Sequence, residues 1–153
     1  MALYLDDLKV GDIARFGRYE VTREEVIEFA SKYDPQAFHL DDEAAAQGLF
    51  GKIAASGWHT ASMTMRMQVE HWKEIGLDKA TLGGAGMDNI RWTQPVYPGD
   101  VLSCETEVLE IMPSRSKPDR GIVKTRWTTL NQRNEPVMTL ITVGVMSRRP
   151  ATD

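Results

Sequence analysis

The chain has 153 residues, of which 42% are hydrophobic and 26% are charged, with a formal net charge of −4. This length and composition suit one ordinary globular domain, so we predict a single domain over residues 1–153. A weakly acidic chain has no global positive field, which argues against nucleic acid or an anionic membrane as a partner.

Cysteine content and hydropathy predict a cytoplasmic protein. The single cysteine, Cys104, excludes an internal disulfide and suits a reducing compartment. No apolar run approaches the roughly 20 residues that a membrane span requires. The first residues lack the basic and then apolar order of a signal peptide, so we expect no export signal.

The first helix is expected to follow an irregular lead-in over residues 1–21 that contains a short strand near Tyr19. Thr22 and Glu25 have the spacing of a capping box at its start. Pro35 disfavours helical geometry at the preceding residue, so the helix should end near Tyr33. Its apolar face has the helical spacing of Val26, Phe29, Ala30 and Tyr33.

Two further helices are predicted before the chain changes to strands. A short one should run from Asp41 or Asp42 to about Gly48. A long one should begin after Ser56, a suitable N-cap, and end before Gly76, a suitable C-terminal glycine. This second helix has few purely polar faces, so we expect protein to surround it.

Four strands are predicted after the long helix, near residues 90–96, 102–108, 123–129 and 137–146, and the second and third of them have the period-two alternation of half-buried strands. Turns are expected at residues 98–100 and 131–134. The last strand is apolar on both faces, which indicates a central position. Residues 83–86, GGAG, are interpreted as a flexible lead into the first strand, because they lack the context of a dinucleotide fingerprint. These elements predict an α+β domain in which an antiparallel sheet wraps around one long helix.

Asp34 and His39 are the candidate catalytic residues. They lie five positions apart, and we expect a non-helical loop that curls both side chains towards one point. A carboxylate–imidazole pair can take a proton from water and deliver one to carbon. The spacing alone is also compatible with a turn-capping aspartate and a structural histidine.

Five motifs give the chain a close resemblance to a known family. They are YDPQAFHLD at 33–41, ASGWHTAS at 55–62, DNIRW at 88–92, PVYPGD at 95–100 and PSRSKPDRG at 113–121. The sequence resembles the MaoC-like dehydratases, which include the (R)-specific enoyl-CoA hydratases. The resemblance implies a hot-dog fold, a homodimer or larger assembly, acyl-CoA substrates of fatty acid metabolism, no metal and no separate cofactor. It assigns catalysis to Asp34 and His39, in a hydro-lyase.

The resemblance also implies a substrate site at the start of the long helix. Its oxyanion donor corresponds to the N–H of Gly57, where a helix N-terminus offers unpaired donors and glycine permits close approach of the acyl group. Ser56 and Ser62 are the other candidate substrate-binding residues, although Ser62 also suits close packing of sheet on helix. Two features depart from better-characterised relatives: Ser56 replaces a histidine, and the proline directly follows Asp34.

Other polar and flexible residues favour structural interpretations. His59 and His71 are twelve positions apart and lack the cluster spacing of metal ligands, so no metal site is predicted. The basic residues Arg115, Lys117 and Arg120 suit a solvated hairpin tip, although they could also hold phosphates. Met63, Met65, Met67 and Met87 are either core residues or the lining of an acyl pocket.

Three functions remain in competition at this point. The first is reversible hydration of an enoyl thioester by Asp34 and His39. The second is a hot-dog thioesterase. Hot-dog thioesterases usually resemble one another in having a catalytic carboxylate on or just before the central helix. Residues 53–69 contain no Asp or Glu, which argues against this function. The third is a non-catalytic acyl-thioester binding module, for which the acid–base pair would be unnecessary.

Overall fold

The computed structural model describes residues 1–152, which form one antiparallel sheet and a set of helices on it. The helices are a 3-10 turn at Leu5–Asp7, α1 Arg23–Tyr33, α2 Ala37–Leu40, α3 Asp42–Ala46 and α4 Gly57–Ile75. The strands are β1 Ile13–Glu20, β2 Thr81–Trp92, β3 Val101–Pro113, β4 Arg120–Leu130 and β5 Pro136–Ser147.

The sheet has the order β1-β3-β4-β5-β2, and every neighbouring pair is antiparallel. Helix α4 packs on this sheet, and its contacts include β1 and β3. The predicted hot-dog architecture is therefore confirmed. Strand β5 lies between β4 and β2, in agreement with its apolar pattern on both faces.

Helix α4 has the predicted ends. Ser56 is its N-cap, and Gly76 follows it with a φ of 81°, a conformation that suits glycine. Its buried face carries Met63 and Met67 at 2% and 1% exposure. Trp58 remains 57% exposed in this single chain. The prediction that protein surrounds the helix is therefore wrong for the face that carries Trp58.

Both edge strands are longer than the sequence predicted. Strand β1 covers residues 13–20 of the lead-in over 1–21, where only a short strand near Tyr19 was expected. Strand β2 begins at Thr81, so residues 83–86 belong to a strand and are not a flexible lead, while Val96 lies outside any strand. An edge strand pairs with a neighbour on one side only. Strand β2 also contains three glycines and has no buried residue in this single chain. The sequence of β2 therefore lacks the alternation of apolar and polar residues that marks a half-buried strand.

The capping prediction at α1 is half confirmed. The Glu25 backbone N–H donates to Thr22 Oγ1 at 3.3 Å, as an N-cap requires. The Glu25 side chain does not return to the cap, because it accepts hydrogen bonds from elsewhere in the domain. The short helix α3 has Asp41 as its cap, with Asp41 Oδ2 accepting from Ala44 N–H at 2.9 Å.

Among the described residues, no helix is both long enough and apolar enough to cross a bilayer.

Candidate active site

Asp34 and His39 face one another beside the start of α4. Asp34 is the C-cap of α1, where Pro35 prevents the helix from continuing. The chain then forms one helical turn, α2, which carries His39 back towards Asp34. His39 Nε2 lies 3.2 Å from Asp34 Oδ2. The predicted pairing is therefore present, although a short helix rather than a non-helical loop produces it.

His39 is buried, with 4% exposure, and each of its ring nitrogens lies close to an oxygen atom. Nδ1 lies 2.6 Å from the carbonyl oxygen of Ala54. Because a carbonyl oxygen only accepts, Nδ1 carries the proton of this bond. Nε2, which faces Asp34, is then the nitrogen available for gaining and losing a proton.

Both oxygens of Asp34 accept hydrogen bonds. Ser56 Oγ donates to Oδ2 at 2.7 Å, and Gln36 Nε2 donates to Oδ1 at 2.6 Å. Burial raises the pKa of Asp34, but the bonds from Ser56 and Gln36 and the nearby His39 outweigh it, so the pKa lies below its ordinary value of 3.8. Asp34 is consequently a carboxylate over the neutral pH range.

Ser56 connects this carboxylate with the end of the central helix. Its side chain is fully buried, and its Oγ also accepts from the backbone N–H of Trp58 at 3.3 Å. The preceding segment is anchored by Ala55, whose N–H donates to the Val96 carbonyl at 2.7 Å. Ser56 was predicted to bind substrate; in the structure its hydroxyl proton is directed at Asp34.

Gly57 begins α4 at the end where the helix dipole is positive and backbone N–H groups lack helical partners. The structure adds a reason for glycine at this position. A Cβ on Gly57 would lie 2.4 Å from Cε2 of the Trp92 ring. The indole Nε1 of Trp92 donates to the Gly57 carbonyl at 2.9 Å. The indole thus occupies the space of the missing side chain.

A second, partly buried contact joins α1 to α4 one turn further along. His59 Nε2 lies 3.0 Å from Glu25 Oε1, and the Tyr19 hydroxyl donates to the same oxygen at 2.5 Å. Burial and the neighbouring Glu25 raise the pKa of Tyr19 to about 12. Burial opposes ionisation of Glu25, yet its bonds to Tyr19 and His59 lower its pKa overall. The Phe29 ring stacks on the His59 ring at 4.7 Å, and the structural role of His59 stays a prediction.

Ser62 is the one predicted site residue that the structure does not bring to the pair. Its side chain is exposed, and its Oγ donates to the Trp58 carbonyl within the same helix at 2.8 Å. The second helix histidine, His71, stacks on Phe16 at 3.9 Å, and burial lowers its pKa.

The remaining candidates are distributed over the domain. Met63 and Met67 belong to the core, whereas Met65 and Met87 are 37% and 47% exposed. Arg115 and Lys117 lie in the turn between β3 and β4. Arg120, the first residue of β4, pairs with its neighbour Asp119. Across residues 1–152, no group of three or more His, Cys, Asp or Glu side chains is arranged to hold a metal ion.

Three contacts at the site could not be found from the sequence. The Ala54 carbonyl that orients His39 is a backbone atom and leaves no trace in residue type. Gln36 lies two residues after Asp34, and its side chain donates a hydrogen bond to the Asp34 carboxylate. Many pairs of residues have this spacing without such a bond, so the spacing does not predict it. Trp92 is 35 positions from Gly57, and only the tertiary fold joins them.

Comparison with known proteins supports a common origin over most of the chain. Residues 10–130 match the model of the MaoC-like domain family. The crystal structure of a MaoC-like dehydratase from Rhodospirillum rubrum is 46% identical, covers 98% of this chain and 100% of its own, and superposes with a TM-score of 0.89. The uncharacterised protein YdeM of Bacillus subtilis is 31% identical over 87% of this chain and 91% of its own length.

A relative with an enzyme name matches a smaller share of both chains. The 3-hydroxybutyryl-CoA dehydratase of Methylorubrum extorquens is 30% identical over 75% of this chain and 69% of its own length. The family match, the similar structure and the hot-dog architecture all indicate the same family. The chain belongs to the MaoC-like domain family.

Proposed function

We propose that this protein is a hydro-lyase that reversibly adds water to the carbon–carbon double bond of an enoyl-CoA. The observation that carries the proposal is the pairing of Asp34 Oδ2 with His39 Nε2 at 3.2 Å, with the other histidine nitrogen held by a carbonyl oxygen. The names of the R. rubrum and M. extorquens relatives, both dehydratases, support it.

The nucleophile in this proposal is a water molecule that contacts both members of the pair. When the imidazole is neutral, Nε2 presents a lone pair towards a carboxylate that also only accepts hydrogen bonds. A water molecule that donates one O–H to each group satisfies both. The same water is then held as a nucleophile, with two bases within reach of its protons.

The reaction balances with these groups alone. The water oxygen bonds to the β-carbon, one water proton passes to the pair, and the π electrons move towards the thioester carbonyl. A proton from the pair then goes to the α-carbon, which completes the net addition of H and OH. Asp34 and His39 contact each other, so we assign the two proton transfers to the pair and not to either residue alone.

Gly57 supplies the third element of the proposed site. The thioester oxygen gains negative charge as the water adds, and a backbone N–H at a helix N-terminus is suited to receive it. Gly57 is the first residue of α4, directly after Ser56, which holds Asp34. The acid–base pair and the candidate oxyanion donor therefore converge on one region.

We also propose that the active protein is a homodimer that pairs through strand β2. This strand is an edge of the sheet, so it exposes unpaired backbone groups along one side. Large apolar side chains are exposed on it or on the adjoining face of α4. They are Trp58, Met65, Leu82, Met87 and Trp92. A second copy would cover these groups and enclose the start of α4.

A panel of enoyl-CoA esters that vary in length and branching tests the reaction. We expect loss of the absorbance of the conjugated thioester, with formation of the 3-hydroxyacyl-CoA confirmed by mass spectrometry. A thiol reagent in parallel assays detects hydrolysis. Release of coenzyme A without hydration would favour a thioesterase, while ligand-dependent thermal stabilisation without turnover would favour a binding module.

A further inference from the structure

The indole of Trp92 is in direct contact with the backbone at the start of α4. Trp92 ends β2, and its Nε1 donates to the Gly57 carbonyl at 2.9 Å. The contact depends on glycine, because a Cβ at this position would meet three indole atoms within 2.8 Å. An edge strand therefore fixes the orientation of the first peptide unit in the central helix.

A series of hydrogen bonds connects that peptide unit with Asp34 of the acid–base pair. Its carbonyl, on Gly57, accepts from Trp92, and its N–H, on Trp58, donates to Ser56 Oγ at 3.3 Å. The Ser56 hydroxyl donates in turn to Asp34 Oδ2 at 2.7 Å. In such a chain each bond polarises the next, so a donor at one end strengthens the bond at the other.

We propose that Trp92 is a positioning residue for the Asp34–His39 pair and acts through the peptide unit between Gly57 and Trp58 and through Ser56. The inference rests on the proposed hydration reaction. Trp92 needs no contact with substrate for this role. Its effect is to hold the Ser56 hydroxyl in the direction that keeps the carboxylate in place.

The indole N–H distinguishes this role from simple packing. Trp92 also contacts Trp58 edge-on, with ring centroids 5.3 Å apart, and a phenylalanine ring could retain much of that contact. Phenylalanine cannot donate to the Gly57 carbonyl. Trp92→Phe therefore removes the first bond of the chain and keeps an aromatic ring at the position.

Trp72→Phe is the matched control. Trp72 is a partly buried tryptophan near the opposite end of α4, where its ring lies 6.3 Å from that of Trp127. The same chemical change there removes an indole without touching the chain of bonds. A loss that comes only from replacing a tryptophan would be seen in both variants.

We expect Trp92→Phe to lower kcat about three- to tenfold with little change in KM, the effect of losing one hydrogen bond that acts on positioning. The pKa of Asp34, measured from its carboxyl ¹³C shift, should rise, because the Ser56 bond that lowers it weakens. The groups that act on this carboxyl are Ser56, Gln36 and His39, and none is substituted. Trp72→Phe should leave kcat and the Asp34 pKa unchanged.

A double-mutant cycle with Ser56→Ala tests the route. If Trp92 acts through Ser56, then Trp92→Phe should have no further effect on kcat or on the Asp34 pKa once Ser56 is alanine. An equal additional loss in the Ser56→Ala background would overturn the proposed route. So would an unchanged Asp34 pKa in Trp92→Phe itself.

The pKa measurement separates this inference from the proposed reaction. A shift of the Asp34 pKa in a protein that hydrates no enoyl-CoA would retain the positioning chain and refute the reaction. Hydration by the wild type, together with an unshifted Asp34 pKa in Trp92→Phe, would support the reaction and refute the positioning chain. If Trp92→Phe fails to fold, 3-benzothienylalanine at position 92 keeps the shape of indole, lacks its N–H and yields the same comparison.

Discussion

Ser56 donates its hydroxyl proton to Asp34 Oδ2 across 2.7 Å, so the residue that caps the central helix also holds the candidate catalytic carboxylate. The bond joins the C-terminal end of α1 to the N-terminal end of α4. Placement of the acid–base pair is therefore coupled to the start of the central helix, and five predictions test this arrangement and its surroundings.

Loss of either member of the pair should abolish most of the hydration activity. We predict that Asp34→Asn and His39→Ala each lower kcat by about 10² to 10⁴, the usual contribution of a general acid or base. Circular dichroism should show that both variants stay folded. The exposed carboxylate of Glu28, on the same helix as Asp34, provides the control variant Glu28→Gln. Near-normal turnover by either variant would refute the assignment.

Ser56→Ala should reduce both activity and stability. The hydroxyl orients the carboxylate and caps α4, so we predict about a tenfold loss of kcat and a loss of about 1 kcal/mol in unfolding free energy. Steady-state assays and urea unfolding measure the two effects. Ser62→Ala is the control, since that hydroxyl is exposed and contacts only its own helix. Equal behaviour of the two variants would contradict the role of Ser56.

Acid should remove the stability that Asp34 contributes. Its folded pKa lies below the ordinary value of 3.8, so its contribution is present above that value and is lost as the pH falls through the folded pKa. Asp34→Asn lacks this linkage. We predict that the difference in unfolding free energy between wild type and Asp34→Asn becomes smaller from pH 7 to pH 3, measured by urea unfolding. A difference that grew on acidification would show the opposite shift.

Glu25 should stabilise the domain by serving one buried and one partly buried partner. Its carboxylate receives the Tyr19 hydroxyl and contacts His59, which is only 2% exposed. Glu25→Ala leaves both groups without this partner, and we predict a loss of about 1 kcal/mol in unfolding free energy. Glu24→Ala, one position earlier and exposed, is the control. Equal stability of the two variants would show that water replaces the Glu25 contacts fully.

Charges on the β2 edge should prevent the proposed dimer. Leu82 is 52% exposed and Met87 47% exposed on this strand. We predict that Leu82→Lys and Met87→Lys shift the protein from dimer to monomer in sedimentation experiments, because two copies would bury the new charges. Met112→Lys, on β3 and 38% exposed, should leave assembly unchanged. A monomeric wild type would contradict the dimer directly.

The helices were predictable where local chemistry sets their ends. Thr22, Pro35, Ser56 and Gly76 mark the ends of α1 and α4, and the structure confirms those bounds within a residue or two. Cap and breaker residues act on their immediate neighbours, so their effect is visible in the sequence. Strands β3, β4 and β5 were equally accessible, because each buries one or both faces and so has a clear apolar pattern.

The edge strands and α2 were not predictable in the same way. Strands β1 and β2 leave much of their surface exposed, so their sequences have no clear apolar pattern. They form because β1 pairs with β3 and β2 pairs with β5. Helix α2 is a single turn, too short to stand alone, and the anchoring of His39 to Ala54 accompanies it.

The sequence by itself determined the composition of the site: an aspartate and a histidine five residues apart, followed by a serine and a glycine at the start of a long helix. Only the tertiary structure decided how these groups act on one another. Ala54 selects the histidine nitrogen that meets Asp34, Ser56 holds the carboxylate, and Trp92 holds the peptide beside Gly57. Hydrogen bonds act over about 3 Å in space, whatever the separation along the chain, so residue spacing alone cannot specify them.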